Sequence, residues 1–131
     1  SNAKKDQRIV QLENFPPSLR LSTTNQTYKS RIMGVLTVQL EKMTNLKDTD
    51  GAMNHPDPYV IFHVENDNLV FDKNYGKQTS TVKKCTCNPV YNETFTFNDI
   101  QKLDNLVLDL KVYDEDWGRD DHMGQKKLKL E

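Results

Sequence analysis

No stretch of the 131 residues approaches the ~18 apolar residues that a membrane-spanning helix needs. No apolar signal-peptide core follows the start. Helix-period patterning never persists for ten residues. Cysteine is scarce: Cys85 and Cys87 stand two apart, would share one face of a strand, and would not easily bond each other. A reduced, cytosolic chain is therefore expected. The N-x-[ST] triplets at Asn25 and Asn92 arise readily by chance and do not by themselves indicate secretion. Zinc is disfavoured, since no Cys/His spacing suits a tetrahedral site, and His55, His63 and His122 read as scattered surface or loop residues. There is no nucleophile–base–orienter set and no phosphate-cradling glycine loop. The chain is therefore expected not to be an enzyme, and no nucleic-acid partner is expected.

What is present is strand alternation. "GVLTVQLEKM" puts Leu36, Val38 and Leu40 on one face and Thr37, Gln39 and Glu41 on the other. "YVIFHV" at 59–64 is β-branched and aromatic, "ETFTF" at 93–97 alternates, and "KKLKL" at 126–130 alternates again. In "LVLDLKVYD" at 106–114, Leu106, Leu108, Leu110 and Val112 point inward, Asp109 and Lys111 outward. "QTSTVKKC" at 78–85 reads as an exposed or edge strand. "DTDG", "NHPDP", "NDN", "KNYG" and "CNP" read as turns between strands. "DIQKLDNL" makes at most one helical turn, with Asp99 as its cap. Many short strands with regular turns predict an all-β, antiparallel sandwich. "SNA" at 1–3 reads as a tag remnant. Residues 4–31 read as a linker or an edge strand near Ser18–Thr23, because Pro16 and Pro17 exclude a central strand there. Residues 32–131 form the domain.

The net charge of −1 conceals an uneven layout. Residues 48–57 hold three aspartates and no base, for −3; residues 113–124 hold five acids and Arg119, for −4. A single acidic stretch is ordinarily a solvated loop. Here strand parity links two of them. Asp114 and Asp116 continue the inward register of Leu110 and Val112 past the last apolar residue. Asp57 stands at the start of a strand, with Pro56 and Pro58 restricting the backbone around it. If these strand ends share one rim, Asp48, Asp57, Asp114, Asp116 and Asp121 converge. Such a set is costly without a cation that wants six to eight oxygens, and calcium suits carboxylates from distant loops better than magnesium does. An EF-hand does not fit, since "DTDGAM" has its glycine at the fourth position and not the sixth.

Five ordered pieces, "GVLTVQLEKMTNL", "D-x-x-G" at 48–51, "DPYV" at 57–60, "NPVYNETFTF" at 88–97 and "VYDED…DDHMG" at 112–124, resemble the C2 domains of protein kinase C and the synaptotagmins. The resemblance covers Gly34 to Leu130. It implies an eight-stranded Greek-key β-sandwich of C2 type, with a strand missing after "KKLKL" or supplied by residues 4–31. It also implies a calcium- and phospholipid-binding module of a trafficking or signalling protein, peripheral to the membrane once calcium binds. Asp48 and Asp57 correspond to ligands in loop 1, and Asp114, Asp116 and Asp121 to ligands in loop 3, with Asp50 and the backbone carbonyls of Lys47 and Glu115 as further donors. Loop 3 is one residue short between Asp116 and Asp121, which makes Asp120 a rival for the last ligand; the distance to Gly124 favours Asp121. Trp117 and Met53 stand near the loop tips that would touch an anionic bilayer, where an amphipathic ring is at home; the other reading for Trp117 is that it folds back over its loop. Lys73, Lys77, Lys83 and Lys84 correspond to a phosphoinositide headgroup patch, or serve as edge-strand lysines that prevent aggregation. The alternative function is a protein-interaction module whose membrane binding is weak or independent of calcium.

Overall fold

The computed structural model describes residues 4–12, 19–27, 34–48, 54–68, 72–101 and 104–130, with side chains from Gly34 onward. Its elements are all strands: β1 (Lys4–Leu12), β2 (Leu19–Thr27), β3 (Gly34–Lys42), β4 (Pro58–Asn66), β5 (Lys73–Thr79), β6 (Val90–Ile100), β7 (Leu106–Asp114) and β8 (Asp121–Lys129). Every pairing is antiparallel. One sheet runs β5-β4-β7-β8; β3 pairs with β6, β1 with β2, and β2 lies alongside β3. The chain changes sheet from β3 to β4, from β5 to β6 and from β6 to β7. β1 and β2 thus lie in the segment that was read as a linker, as an edge strand or as the source of the missing strand.

Alternation decides what each strand buries. Leu36, Val38 and Leu40 of β3 are buried, and their β6 neighbours include Phe95 and Phe97. Val60, Phe62 and Val64 face them from β4, and Leu106, Leu108, Leu110 and Val112 from β7. Phe62 is fully buried, lies opposite Leu110 in the ladder, and meets Phe95 across the sheets with ring centroids 4.9 Å apart. A tilted aromatic pair of this kind adds about 0.5–1.5 kcal/mol to the burial of its area.

Several expectations need correction. The edge strand is β5 at 73–79, and residues 80–89 run without strand structure. "KNYG" is no turn between strands. Gly76, at φ 101°, lies within β5 where its pairing with β4 shifts between His63 and Glu65, so it serves as a bulge residue. Asp99 caps no helix: β6 continues to Ile100, with Asp99 itself in the left-handed region at φ 59° that aspartate tolerates. Asp109 alternates outward as expected, yet it is buried, because its ladder neighbours His63 and Lys127 flank it in the interior of the four-stranded sheet. The cysteines lie on no strand; Cys85 has φ 53°, and both thiols are free.

The open end of the sandwich is laced by backbone bonds. Leu46 N donates to Cys87 O (2.9 Å), Thr86 N to Pro56 O (2.9 Å), Lys83 N to Pro58 O (3.1 Å) and Glu115 N to Asp57 O (3.0 Å). Tyr91 adds a side-chain tie, its buried hydroxyl donating to Pro58 O at 2.6 Å. Burial pushes that phenol well above its ordinary range. The segments after β3, before β4, between β5 and β6, and after β7 are thereby held together at one rim.

Truncating the central ring tests the core. Phe62→Ala is expected to cost about 3–5 kcal/mol of unfolding free energy by urea titration. A loss below about 1 kcal/mol would mean that the two sheets do not meet through this ring.

Candidate metal centre

β7 ends on Asp114, which is only 5% exposed and keeps the inward register of Val112. Pro58 and Asp121 are its ladder partners on either side. Directly opposed residues place their side chains on one face with Cβ atoms about 5 Å apart. Asp114 and Asp121 therefore share the end of the sheet, and their like charges repel. Asp114 Oδ1 accepts from the Asp57 amide at 2.8 Å. This bond fixes the start of β4 against the end of β7 and brings loops 1 and 3 together.

The other predicted ligands are held differently. Asp57 Oδ1 accepts from Cys85 N at 2.6 Å, and its Oδ2 lies 3.8 Å from Lys84 Nζ. Asp116 is exposed, and its Oδ1 accepts from Trp117 N at 2.7 Å. Asp120 has both carboxylate oxygens engaged: Oδ1 accepts from Asp116 N at 3.0 Å, and Oδ2 accepts from the Tyr59 hydroxyl. The Tyr59 bond, then the Asp116 amide, holds the Asp120 carboxyl below its ordinary value. Burial, followed by the same hydrogen bond, pushes the Tyr59 phenol up to about 12. Asp120 is thus a brace of the β7–β8 loop, and Asp121 is the residue whose register places it beside Asp114.

Asp48 stands apart from this group. Its Oδ2 lies 3.0 Å from His55 Nδ1, while its Oδ1 is sealed from solvent with no hydrogen-bond partner among the described residues. Cys87 Sγ is 3.6 Å from the same His55 nitrogen. Among the described residues, the group of three ligand atoms lying within 4.8 Å of one another is Asp48, His55 and Cys87; the five aspartates do not form such a group. Burial, and then the nearby Asp48, pushes the Cys87 thiol up. Chain spacing showed no such cluster, because His55 and Cys87 are 32 residues apart. Tyr59 and His55 thus contact predicted acids, and Cys87 contacts His55, in a way that the motif reading did not show.

Lys47 is exposed just before Asp48, and Glu115 is exposed just after Asp114. Asp50 and Met53 lie outside the described residues. Trp117 is 100% exposed, next to Gly118 at φ 90°, so its ring extends from the loop and does not fold back. The four lysines divide. Lys73 and Lys77 lie exposed on β5, and Lys83 Nζ stands 5.7 Å from the centroid of the Tyr91 ring. Lys84 turns to the rim, with its Nζ 2.5 Å from Glu115 Oε1. That contact raises the Lys84 pKa first, and Asp57 contributes less. Exposed pairs of this kind contribute little stability.

The C2 domain profile matches residues 34–131. The chain belongs to the C2 family. Human synaptotagmin-1 is 38% identical over 97 residues, covering 70% of this chain and 21% of that protein. The C2 domain designated A of plant extended synaptotagmin 1 superimposes with a TM-score of 0.62 at 30% identity, over 74% of this chain and 69% of that one. The calcium-bound pair of C2 domains, A and B, of extended synaptotagmin 2 shares the fold at a TM-score of 0.60 and 24% identity, over 74% of this chain and 34% of that one. This C2 chain spans about a fifth of the length of the curated relatives it matches. Among the described residues, no helix is long and apolar enough to cross a membrane.

The brace is testable without metal. Tyr59→Phe is expected to raise the Asp120 carboxyl toward its ordinary value, read by a carboxyl-carbon NMR pH titration. In the wild type the Asp120 contacts persist above its lowered pKa and loosen as pH falls through it. An unchanged Asp120 titration in the variant would show that Tyr59 does not hold this carboxylate.

Proposed function

We propose that this C2 domain is a calcium-dependent adaptor for anionic phospholipid membranes, a binding module and not an enzyme, in a larger trafficking or signalling protein. The observation that carries the reading is the pairing of Asp114 with Asp121 across one ladder, with Asp57 tied to Asp114 by a hydrogen bond. The donors fit calcium: Asp57, Asp114, Asp116 and Asp121 offer hard oxygens at strand ends and in the loops beside them, and Asp48 adds an oxygen that lacks a partner among the described residues. The backbone carbonyls of Lys47 and Glu115 stand next to these. When bound, calcium supplies positive charge that offsets carboxylate repulsion, and coordination sites that lipid phosphate oxygens can fill.

This chain's own residues do the rest. Asp114 and Asp57 hold the two loops in register, and Asp120 with Tyr59 keeps the β7–β8 loop upright. Trp117 extends from that loop with its ring free to enter the headgroup layer, as interfacial tryptophans do. Lys73 and Lys77, exposed on the sheet edge, supply weaker attraction for phosphoinositide headgroups, worth about 1 kcal/mol each near an anionic surface. Lys84, paired with Glu115, serves the rim before it serves lipid.

Co-sedimentation with phosphatidylserine vesicles tests the reading. Pelleting is expected with calcium and not with EGTA, and Trp117→Ala is expected to reduce pelleting while leaving calcium affinity without lipid unchanged. Equal pelleting in calcium and EGTA would favour a module whose partner is a protein. A second measurement separates neighbouring acids. By calorimetry, Asp121→Asn is expected to weaken calcium binding by about tenfold or more, because it removes a negative charge from the oxygen set; tenfold corresponds to ~1.4 kcal/mol. Asp120→Asn is expected to weaken it less. The reverse order would make Asp120 the ligand.

A further inference from the structure

We propose that Asp48, His55 and Cys87 form a second metal site, beside the aspartate rim, for a borderline-soft divalent cation of the zinc type. Three separate segments deliver a carboxylate oxygen, an imidazole nitrogen and a thiol sulfur to one place. His55 Nδ1 lies 3.0 Å from Asp48 Oδ2 and 3.6 Å from Cys87 Sγ, and all three donors fall within 4.8 Å of one another. Around a tetrahedral ion with bonds of about 2.0–2.3 Å, neighbouring ligand atoms stand roughly 3.3–3.8 Å apart. The His55–Cys87 separation falls within that range and the His55–Asp48 separation just below it.

Two further features point to a cation. Asp48 Oδ1 is sealed from solvent and has no hydrogen-bond partner among the described residues. A carboxylate oxygen held in this way is costly unless a positive charge faces it. The three donors are also clamped by backbone bonds: Leu46 N to Cys87 O ties the Asp48 segment to Cys87, and Thr86 N to Pro56 O ties the Cys87 segment to His55. Sites held by such bonds keep their geometry better than free loops do.

The donor set selects the ion. Calcium takes oxygen alone, whereas imidazole with thiolate and carboxylate suits zinc. On binding, the Cys87 S–H bond breaks, the proton passes to solvent, and the sulfur pair is donated to the metal; neutral His55 binds through Nδ1. Three protein ligands leave a fourth position for water or a partner's side chain. Asp48 also belongs to the calcium set, so the two ions compete for it; this consequence alone rests on the calcium reading.

Cobalt(II), added to the full chain without calcium and with a non-thiol reductant, tests the site. A stoichiometric thiolate-to-cobalt charge-transfer band is expected, reversed by zinc. Cys85→Ser should keep it and Cys87→Ser should abolish it. His55→Ala should weaken cobalt binding by at least the roughly 10–100-fold that even outer-shell changes bring. Absence of the band in the wild type, or its survival in Cys87→Ser, would overturn the site. Excess calcium is expected to weaken the band; a band indifferent to calcium, in a chain that calorimetry shows to bind calcium, would overturn the shared ligand. A chain that takes no calcium but keeps the band sinks the calcium reading alone.

Discussion

Asp114 occupies the last inward position of β7, where the apolar register of Leu108, Leu110 and Val112 delivers a carboxylate to the mouth of the core. The ladder that buries those apolar side chains also places Asp121 opposite it. Moving either residue off this rim requires a register change, and a slip by one residue would turn the whole strand's apolar face to solvent. The like charge at the rim is therefore held in place by the packing of the core.

The rim lowers part of the repulsion internally. The Asp57 amide faces Asp114, the Cys85 amide faces Asp57, and Lys84 approaches Asp57 and Glu115. The Asp121 carboxylate is exposed, so water can solvate it. Asp120 differs, since the Tyr59 hydroxyl and the Asp116 amide occupy its oxygens. The acids thus have separate roles that a charge count cannot distinguish. Asp120 braces its loop, whereas Asp116 and Asp121 are exposed.

Strands β3, β4, β6 and β7 were legible because their apolar residues alternate and one face is buried; the C2 motifs then ordered them. β5 was misplaced because it buries almost nothing: with exposed Lys73, Asn74 and Lys77 it carries no period, and its position follows from pairing with β4. The Thr- and Val-containing run after it looks more strand-like, yet its amides serve the rim, with Ser80 N bonding Val60 O and Lys83 N bonding Pro58 O. Asp109 was read as solvent-facing because alternation reports a face and not its coverage. The neighbouring placement of Asp114, Asp121 and Asp57 was legible through parity and motif. His55 and Cys87 were not, because each is unremarkable beside its chain neighbours and their meeting depends on the 80–89 segment crossing the base of loop 1.

That crossing gives one rim two chemistries. On the β7 side the donors are all oxygens and stand open, which suits a large, adaptable cation. On the β3 side a nitrogen and a sulfur crowd one carboxylate, which suits a smaller and softer ion. Asp48 is common to both, with one oxygen against His55 and the other sealed without a described partner. A carboxylate can bridge two ions or choose between them. The short distance to His55 holds one oxygen toward the nitrogen–sulfur side, so rotation of this single side chain toward the rim would have to break the His55 contact. Asp48 is thus the side chain through which the two proposed ion sets would communicate, with Oδ2 held by His55.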